Sequence, residues 1–268
     1  MHHDIPMRPH IAWLDLSNRR RGLTGYCLGM AVYTLAVVAM YPAFKTSSSL
    51  DKLIASDSTA AALFGISGSI STSSGWLNGN IYANFFPLVM LLLTIGYGAA
   101  CLAGQDEDAT LGLLAVLPVR RAVIVAQKAA AIAAQAAALA ATVAVLVIIG
   151  RSFQLSTTAA DVVSVSAAVF LLGLDFGLIT MAAGALTGRR GTAVGTGTAL
   201  ATASYLISSL APVTSWIRPS RYASLFYWSV GNSQISRGVS VGDYAVLAAV
   251  GLCALTAAML AFRRLDIH

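Results

Sequence analysis

Charged residues are scarce in this sequence. Only 10% of its 268 residues are Asp, Glu, Lys or Arg, whereas 57% are hydrophobic. A soluble domain of this size carries about 25% charged residues. The shortage argues against a water-soluble enzyme, a disordered chain and a nucleic-acid-binding module, and it indicates an integral membrane protein.

Reactive and metal-binding side chains are also few, and they lie apart. The four histidines stand at the chain ends, and the three cysteines (Cys27, Cys101 and Cys253) fall inside apolar runs, where they form neither a disulfide framework nor a metal-binding spacing. None of the three lysines follows the paired glycines of a P-loop, the motif that cradles phosphate. We therefore expect no cofactor, no metal and no ATP site of that type in this chain.

Long uncharged runs are abundant by contrast. A helix needs about 20 apolar residues to cross the hydrocarbon core of a bilayer, roughly 30 Å thick. Six runs meet this requirement, at about 22–44, 81–103, 121–150, 162–187, 191–216 and 244–262; the third begins with Arg121 and includes Lys128, and the fourth includes Asp175. Runs of this length exclude the ten-residue alternating strands of an outer-membrane barrel. The predicted fold is an all-α integral membrane protein, a single transmembrane domain over residues 1–268 with six spans.

The basic residues predict the orientation of these spans. With six spans both termini lie on one side, and an N-terminus inside places 11 of the 17 basic residues in cytoplasmic segments: Arg8, Arg19, Arg20, Arg21, Arg120, Arg121, Lys128, Arg189, Arg190, Arg263 and Arg264. Basic residues favour cytoplasmic loops, so both ends are expected in the cytoplasm. Lys128, near the start of the third span, is expected to extend its ammonium group to the interface.

Three further segments lie outside the spans. Residues 8–21 are basic and contain Trp13, Leu14 and Leu16, a pattern typical of an interfacial helix. Residues 45–80 form an outer loop, in which 60–64 could lie as a short helix on the membrane. Residues 218–243 are rich in Tyr, Trp and Ser, which favours an aromatic belt at the interface, with a re-entrant half-hairpin as the alternative.

The cytoplasmic loop at 105–121 has the most informative pattern. Three acids (Asp106, Glu107 and Asp108) open it, and Pro118 and two arginines close it. Acids at the start of a helix and cations after its end both complement the helix dipole. Between them Thr110, Leu113, Leu114 and Leu117 recur at i, i+3, i+4 and i+7, which predicts an amphipathic helix over 105–118 on the cytoplasmic face. A plain solvated turn is the alternative.

The stretch from Ala103 to Arg121 resembles the coupling-helix region of the type-two family of ABC export permeases. That region usually has acidic residues, Gly-Thr-Leu-Glu, a Leu-rich run, and then Pro and Arg. The chain differs from this pattern at Ala109, where Gly is usual, and at Gly112, where Glu is usual. The six spans, the long first outer loop and the aromatic loop before the last span also fit the family.

The resemblance implies a permease subunit that is not itself an enzyme. It would bind two copies of a cytoplasmic ABC ATPase, on which ATP and Mg would bind, and pair with a second permease, identical or homologous, in a bacterial cytoplasmic membrane. The resemblance assigns the coupling to the ATPase to Asp106, Glu107, Thr110, Leu111, Leu113, Leu114, Leu117 and Arg121. Short outer loops and apolar spans favour a hydrophobic or amphipathic substrate, and no nucleic-acid partner is expected.

Asp175 is the only acid inside a predicted span, 14th of the 27 residues in 162–188. A charged Asp at a helix centre costs about 2.5–3.5 kcal/mol on insertion scales, so it should not face lipid. It is either a protonated structural residue bonded to Ser, Thr or a carbonyl, or a residue of the translocation path. Two other functions stay open: a proton- or ion-coupled secondary transporter that uses Asp175, and a non-transporting membrane scaffold or regulator.

Overall fold

The computed structural model describes residues 10–45, 72–108, 120–231 and 234–264. Within these ranges the chain is helical and contains no β-strand. The long helices are α1 (His10–Phe44), α2 (Phe85–Ala99), α3 (Arg121–Ile149), α4 (Ala159–Thr187), α5 (Arg190–Leu210) and α6 (Val241–Arg264).

Five helical stretches are long and apolar enough to cross a membrane. They are Ala12–Phe44, Ser73–Glu107, Arg121–Phe153, Ala159–Thr187 and Val241–Arg263. The prediction of an all-helical, multi-pass membrane protein is therefore confirmed. Helix α5 occupies the place of the fifth predicted span and has 21 residues, but its Gly, Thr and Ser residues make it less apolar. The count of six spans stays a prediction.

Helix α1 includes the segment predicted as an interfacial helix. Residues 10–21 continue into the first span without a break. One face of this segment, including Ala12 and Asp15, is buried against the bundle, whereas Trp13 and Leu14 are exposed. Its place at the membrane interface stays a prediction. Residues 8–9 lie outside the described part of the chain.

The second span is assembled from several short pieces around α2. A short α-helix (Ser73–Leu77) leads into a π-helical turn (Asn78–Tyr82), and the backbone leaves helical geometry at Asn84, with φ −131° and ψ −70°. A second π-helical turn (Ala100–Gly104) follows α2, and Gln105–Glu107 form a last helical turn. The helical stretch therefore begins earlier than predicted. Residues 46–71, which include the short helix expected at 60–64, lie outside the described residues.

Helix α4 lies at the centre of the bundle, where it packs against α2, α3, α5 and α6. Close approach of α2 and α4 depends on glycine. A Cβ atom added at Gly98 would lie 2.3 Å from the carbonyl oxygen of Gly177. Helix α1 packs mainly on α3, and this leaves a gap between α1, α2 and α5.

The loop before α6 turns back into the bundle. A short helix (Leu225–Ser229) packs against α4, α5 and α6. The hydroxyl of Ser224 donates to the carbonyl oxygen of Ser204 at 2.6 Å, and the ring of Phe226 lies 6.4 Å from that of Phe176. These contacts agree with the re-entrant alternative for 224–229, whereas Trp216 and Tyr222 stay exposed, as in an aromatic belt.

Candidate functional site

A cavity of about 680 Å³ fills the gap between α1, α2 and α5. Its walls are mostly apolar side chains of α2 and α5, with Phe226 of the re-entrant segment at one end. The lining residues are Tyr33, Gly79, Asn80, Asn84, Phe85, Leu88, Leu91, Leu92, Ile95, Gly96, Val194, Thr198, Ala201, Thr202, Tyr205 and Phe226. None of these residues is charged. Pockets of this size with apolar walls and a few polar groups are typical small-molecule sites.

The polar groups of the cavity gather where the second span is broken. The hydroxyl of Tyr205 donates to Oδ1 of Asn84 at 2.8 Å, and the hydroxyl of Tyr33 donates to the carbonyl oxygen of Asn80, also at 2.8 Å. These bonds tie α5 and α1 to the segment before α2. The cavity therefore offers hydrogen-bonding groups at the broken segment and, through Thr198 and Thr202, on α5, and apolar contact elsewhere.

A second polar site lies beyond the other end of α2, close to the predicted coupling segment. The ammonium group of Lys128 lies 2.6 Å from Oδ2 of Asp15, and the hydroxyl of Tyr97 donates to the same oxygen at 2.6 Å. Lys128 also donates to Oε1 of Gln105 at 2.9 Å. We call Asp15, Tyr97, Gln105 and Lys128 the polar cluster. It joins α1, α2, the turn after α2 and α3.

The structure corrects the expectation for Lys128. Its side chain does not reach the interface but is buried, with its charge turned inward. The physical reason is Asp15, which supplies an opposite charge; Gln105 accepts a second hydrogen bond from Lys128, and Tyr97 donates one to Asp15. Buried charges are tolerated in proteins when they are paired in this way.

Asp175 lies in the packed interface between α4 and α6, not in the cavity wall. It is 1% exposed, and neither carboxyl oxygen has a hydrogen-bond partner among the described residues. A Cβ atom added at Gly251 would lie 2.6 Å from Oδ1, so the carboxyl group fits only because residue 251 is glycine. The structure therefore places neither a Ser, Thr or carbonyl partner nor the cavity beside Asp175.

A family model described as ABC-2 family transporter protein matches residues 10–225. The chain belongs to the ABC-2 transporter family. The matched range contains α1 to α5, the polar cluster and every lining residue of the cavity except Phe226, and it confirms the resemblance drawn from residues 103–121. No curated protein matches the chain. Members of the ABC-2 family are membrane components of transporters and are not catalytic by themselves.

The structure describes only the two ends of the coupling segment expected in an ABC-2 permease. Glu107 accepts a hydrogen bond from the backbone N–H of Arg190 at 2.9 Å, at the start of α5. Arg121 donates to the carbonyl oxygen of Phe262 at 3.2 Å, near the end of α6. Asp106 lies beside Glu107 on the same turn, with one buried oxygen that has no partner among the residues that the structure describes. Thr110, Leu111, Leu113, Leu114 and Leu117 lie outside the described residues, so their role stays a prediction.

Sequence reasoning missed the polar cluster. Asp15 stood in a segment assigned to the interface, and Lys128 was the only lysine inside a predicted span. Two opposite charges at the same end of two spans were the available signal. Pairing across 113 positions depends on the packing of α1 on α3, which no local pattern reveals.

Proposed function

We propose that this ABC-2 family chain is the permease subunit of an ATP-driven exporter that moves a hydrophobic or amphipathic compound across a bacterial cytoplasmic membrane. The observation that carries the substrate class is the cavity between α1, α2 and α5, which has mostly apolar walls, no charged lining residue and a few hydrogen-bonding groups. Such a site favours compounds with an apolar body and few hydrogen-bonding groups.

A bulky side chain in the cavity tests this substrate path. Thr198→Trp places an indole on the exposed side of α5 that lines the cavity, whereas Leu252→Trp places one on the exposed face of α6, away from it. Efflux of an uncharged fluorescent dye and of an amphipathic one is measured in cells that express each variant with the ATPase. We expect efflux to fall at least several-fold for Thr198→Trp only. Equal efflux by both variants would show that the compound does not use this cavity.

The energy source in this proposal is a separate ABC ATPase, bound in two copies, which carries ATP and Mg. The contacts of Glu107 with α5 and of Arg121 with α6 support it, since the residues that flank the leucine-rich stretch on each side lie against the bundle. An apolar stripe on this segment offers a helix face for a groove on the partner.

Leu114→Asp is the direct test of ATPase docking. A charge buried without a partner costs several kcal/mol, so co-purification of the ATPase should drop while the permease still enters the membrane. Leu114→Met keeps an apolar side chain of similar volume and should bind normally. If Leu114→Asp retains both ATPase binding and transport, this segment is not the coupling element.

The second permease subunit is expected on α1 and α5. Gly25 and Gly29 on α1, and Gly191 and Gly195 on α5, have open space where a Cβ would stand. Small residues spaced by four allow membrane helices to approach closely. Single cysteines at positions 29 and 195 should cross-link copies of the chain in membranes if the partner is identical, and a cysteine at exposed position 252 of α6 should not.

A further inference from the structure

We infer that the polar cluster of Asp15, Tyr97, Gln105 and Lys128 is a positioning device, which makes the N-terminal part of α1 follow movements of the 105–118 segment. The inference rests on the proposed coupling role of that segment. It adds a second route into the membrane domain, through α1, beside the direct route through α2.

Gln105 links the predicted coupling segment to the polar cluster. It is the first residue of the predicted coupling segment, and it directly follows the π-helical turn Ala100–Gly104, whose residues are all buried. A π-helical turn adds a residue to the turn and so re-aims the residues after it; such turns are frequent at functional sites. Here the side chain of Gln105 is directed at Lys128, 2.9 Å away.

A chain of contacts leads from Gln105 to α1. Lys128 bonds to both Gln105 and Asp15, so the three side chains form a continuous hydrogen-bonded path from the turn after α2 to α1. Tyr97 adds a bond from α2 to Asp15, and the guanidinium of Arg19 lies 4.9 Å from the Tyr97 ring centroid. Apart from these groups α1 packs chiefly on α3 and only slightly on α2.

Stability does not explain the buried ion pair of Lys128 and Asp15. Its side chains are 1% and 9% exposed, and it is the one ion pair within the part of the chain that the structure describes. Replacing such a buried pair with apolar side chains of similar volume is often neutral or stabilising, because desolvation of both charges offsets their attraction. A directional, strongly bonded contact does what apolar packing does not do: it fixes the position of Gln105 relative to α1.

The test measures whether ATP-driven movement reaches α1. Spin labels are placed at two exposed positions of one chain, Asn18 on α1 and Thr187 at the end of α4. Labelled chains are mixed with an excess of unlabelled chains, so that the measured distance lies within one subunit even if the second permease is identical. The full complex with its ATPase is measured without nucleotide and after trapping with ATP and vanadate. In the chain with an unmodified polar cluster, we expect the distance between the labels at positions 18 and 187 to change on trapping.

Two variants cut the path in different ways. Gln105→Leu leaves the Asp15–Lys128 pair intact and removes the bond to the coupling segment. The double variant Asp15→Asn, Lys128→Met removes both charges, leaves no buried charge unpaired and keeps an acceptor for Tyr97. Lys45→Met, which removes a cation bonded to Gln154 far from the cluster, is the matched control.

The expected result is loss of the α1 shift in both cluster variants, with ATPase binding retained and the shift preserved in Lys45→Met. If the double variant does not assemble, Gln105→Leu alone decides, since Gln105 is partly exposed and its replacement leaves the ion pair in place. A normal shift in Gln105→Leu, or no shift in the unmodified complex, overturns the inference while the proposed function stands. If the unmodified chain binds no ATPase, the proposed function fails, and this inference fails with it.

Discussion

The carboxyl group of Asp175 and the missing side chain at Gly251 depend on each other. A Cβ at position 251 would lie 2.6 Å from Oδ1, well inside van der Waals contact. We predict that Gly251→Ala lowers the free energy of unfolding by about 1–3 kcal/mol, the usual range for overpacking a core. Thermal unfolding of the purified chain in detergent measures the loss.

The control is Gly242→Ala on the same helix, where the nearest atom to a new Cβ is Ser240 Oγ at an ordinary 3.6 Å. In an Asp175→Ala background the carboxyl group is gone, so Gly251→Ala should cost little. Residues in contact couple in this way, whereas independent sites add. If Gly251→Ala lowered the stability equally in that background, the contact between position 251 and the Asp175 carboxyl group would be contradicted.

A second test of Asp175 asks whether export needs an ionisable group at this position inside the membrane. Asp175→Asn keeps the shape of the side chain and removes its ability to ionise. If Asp175 contacts a polar or cationic part of the substrate, we predict a several-fold drop in export, with expression and ATPase binding unchanged. Dye efflux measured alongside Asp161→Asn, at the start of the same helix, separates the two roles. Export at the unmodified level would leave Asp175 only a packing role.

At the scale of elements, α2 and α4 approach each other through backbone rather than side chains. A Cβ at Gly98 would meet the carbonyl oxygen of Gly177 at 2.3 Å, and a carbonyl cannot rotate away as a flexible side chain does. We predict that Gly98→Ala separates these helices and costs about 2–3 kcal/mol of stability or more. The unfolding temperature in detergent and the yield of folded chain report it.

Gly96→Ala is the matched control, half a turn away on the same helix, with no atom within 4 Å of a new Cβ. Alanine is a better helix former than glycine by about 1 kcal/mol, so this variant should be neutral or slightly stabilised. Equal losses in both variants would mean that glycine acts here through helix flexibility and not through close packing.

The elements themselves were predictable to the extent that they are set by composition. Uncharged runs locate α2, α3, α4 and α6 because a bilayer admits only long apolar helices there. The pairing of α1 with α3 through Asp15 was not predictable, because Asp15 looks like an interfacial residue until Lys128 is seen beside it. The sequence left an aromatic belt and a re-entrant half-hairpin open for 218–243, because Phe226 has the same sequence signature at an interface as inside a bundle. Its contact with Phe176 places it against the bundle.

The candidate site, like the helices, could be predicted from the sequence only in part. The loop pattern at 105–121 indicated the family and the coupling segment, since acids, a leucine stripe and Pro-Arg are local features. The cavity was not visible in the sequence, because its walls come from α1, α2 and α5 and its polar end depends on a helix break at Asn84. Contacts such as Tyr205 to Asn84 join positions 121 apart and follow only from the packing of whole helices.

At the scale of the whole molecule, the open issue is how many times the chain crosses the bilayer. Five stretches are apolar enough by composition, and α5 is the sixth by position, with 21 residues that rise about 32 Å at 1.5 Å per residue. That length spans the hydrocarbon core. If α5 did not cross the bilayer, residues 211–240 would lie on the same side of the membrane as Arg189 and Arg190. The two chain ends would then lie on opposite sides.

Cysteine labelling in intact cells decides between these topologies. In a chain with Cys27, Cys101 and Cys253 replaced by Ala, single cysteines are introduced by Asp57→Cys, Ala109→Cys, Arg190→Cys and Ser220→Cys. We predict that a membrane-impermeant maleimide labels positions 57 and 220 from outside, and positions 109 and 190 only after permeabilisation. This follows because an odd number of spans separates 57 from 109 and 190 from 220, whereas two spans separate 109 from 190. Outside labelling at 109 or 190, or none at 57, contradicts the predicted orientation. If the other three sites behave as predicted but position 220 is reached only after permeabilisation, α5 does not cross and the chain has five spans.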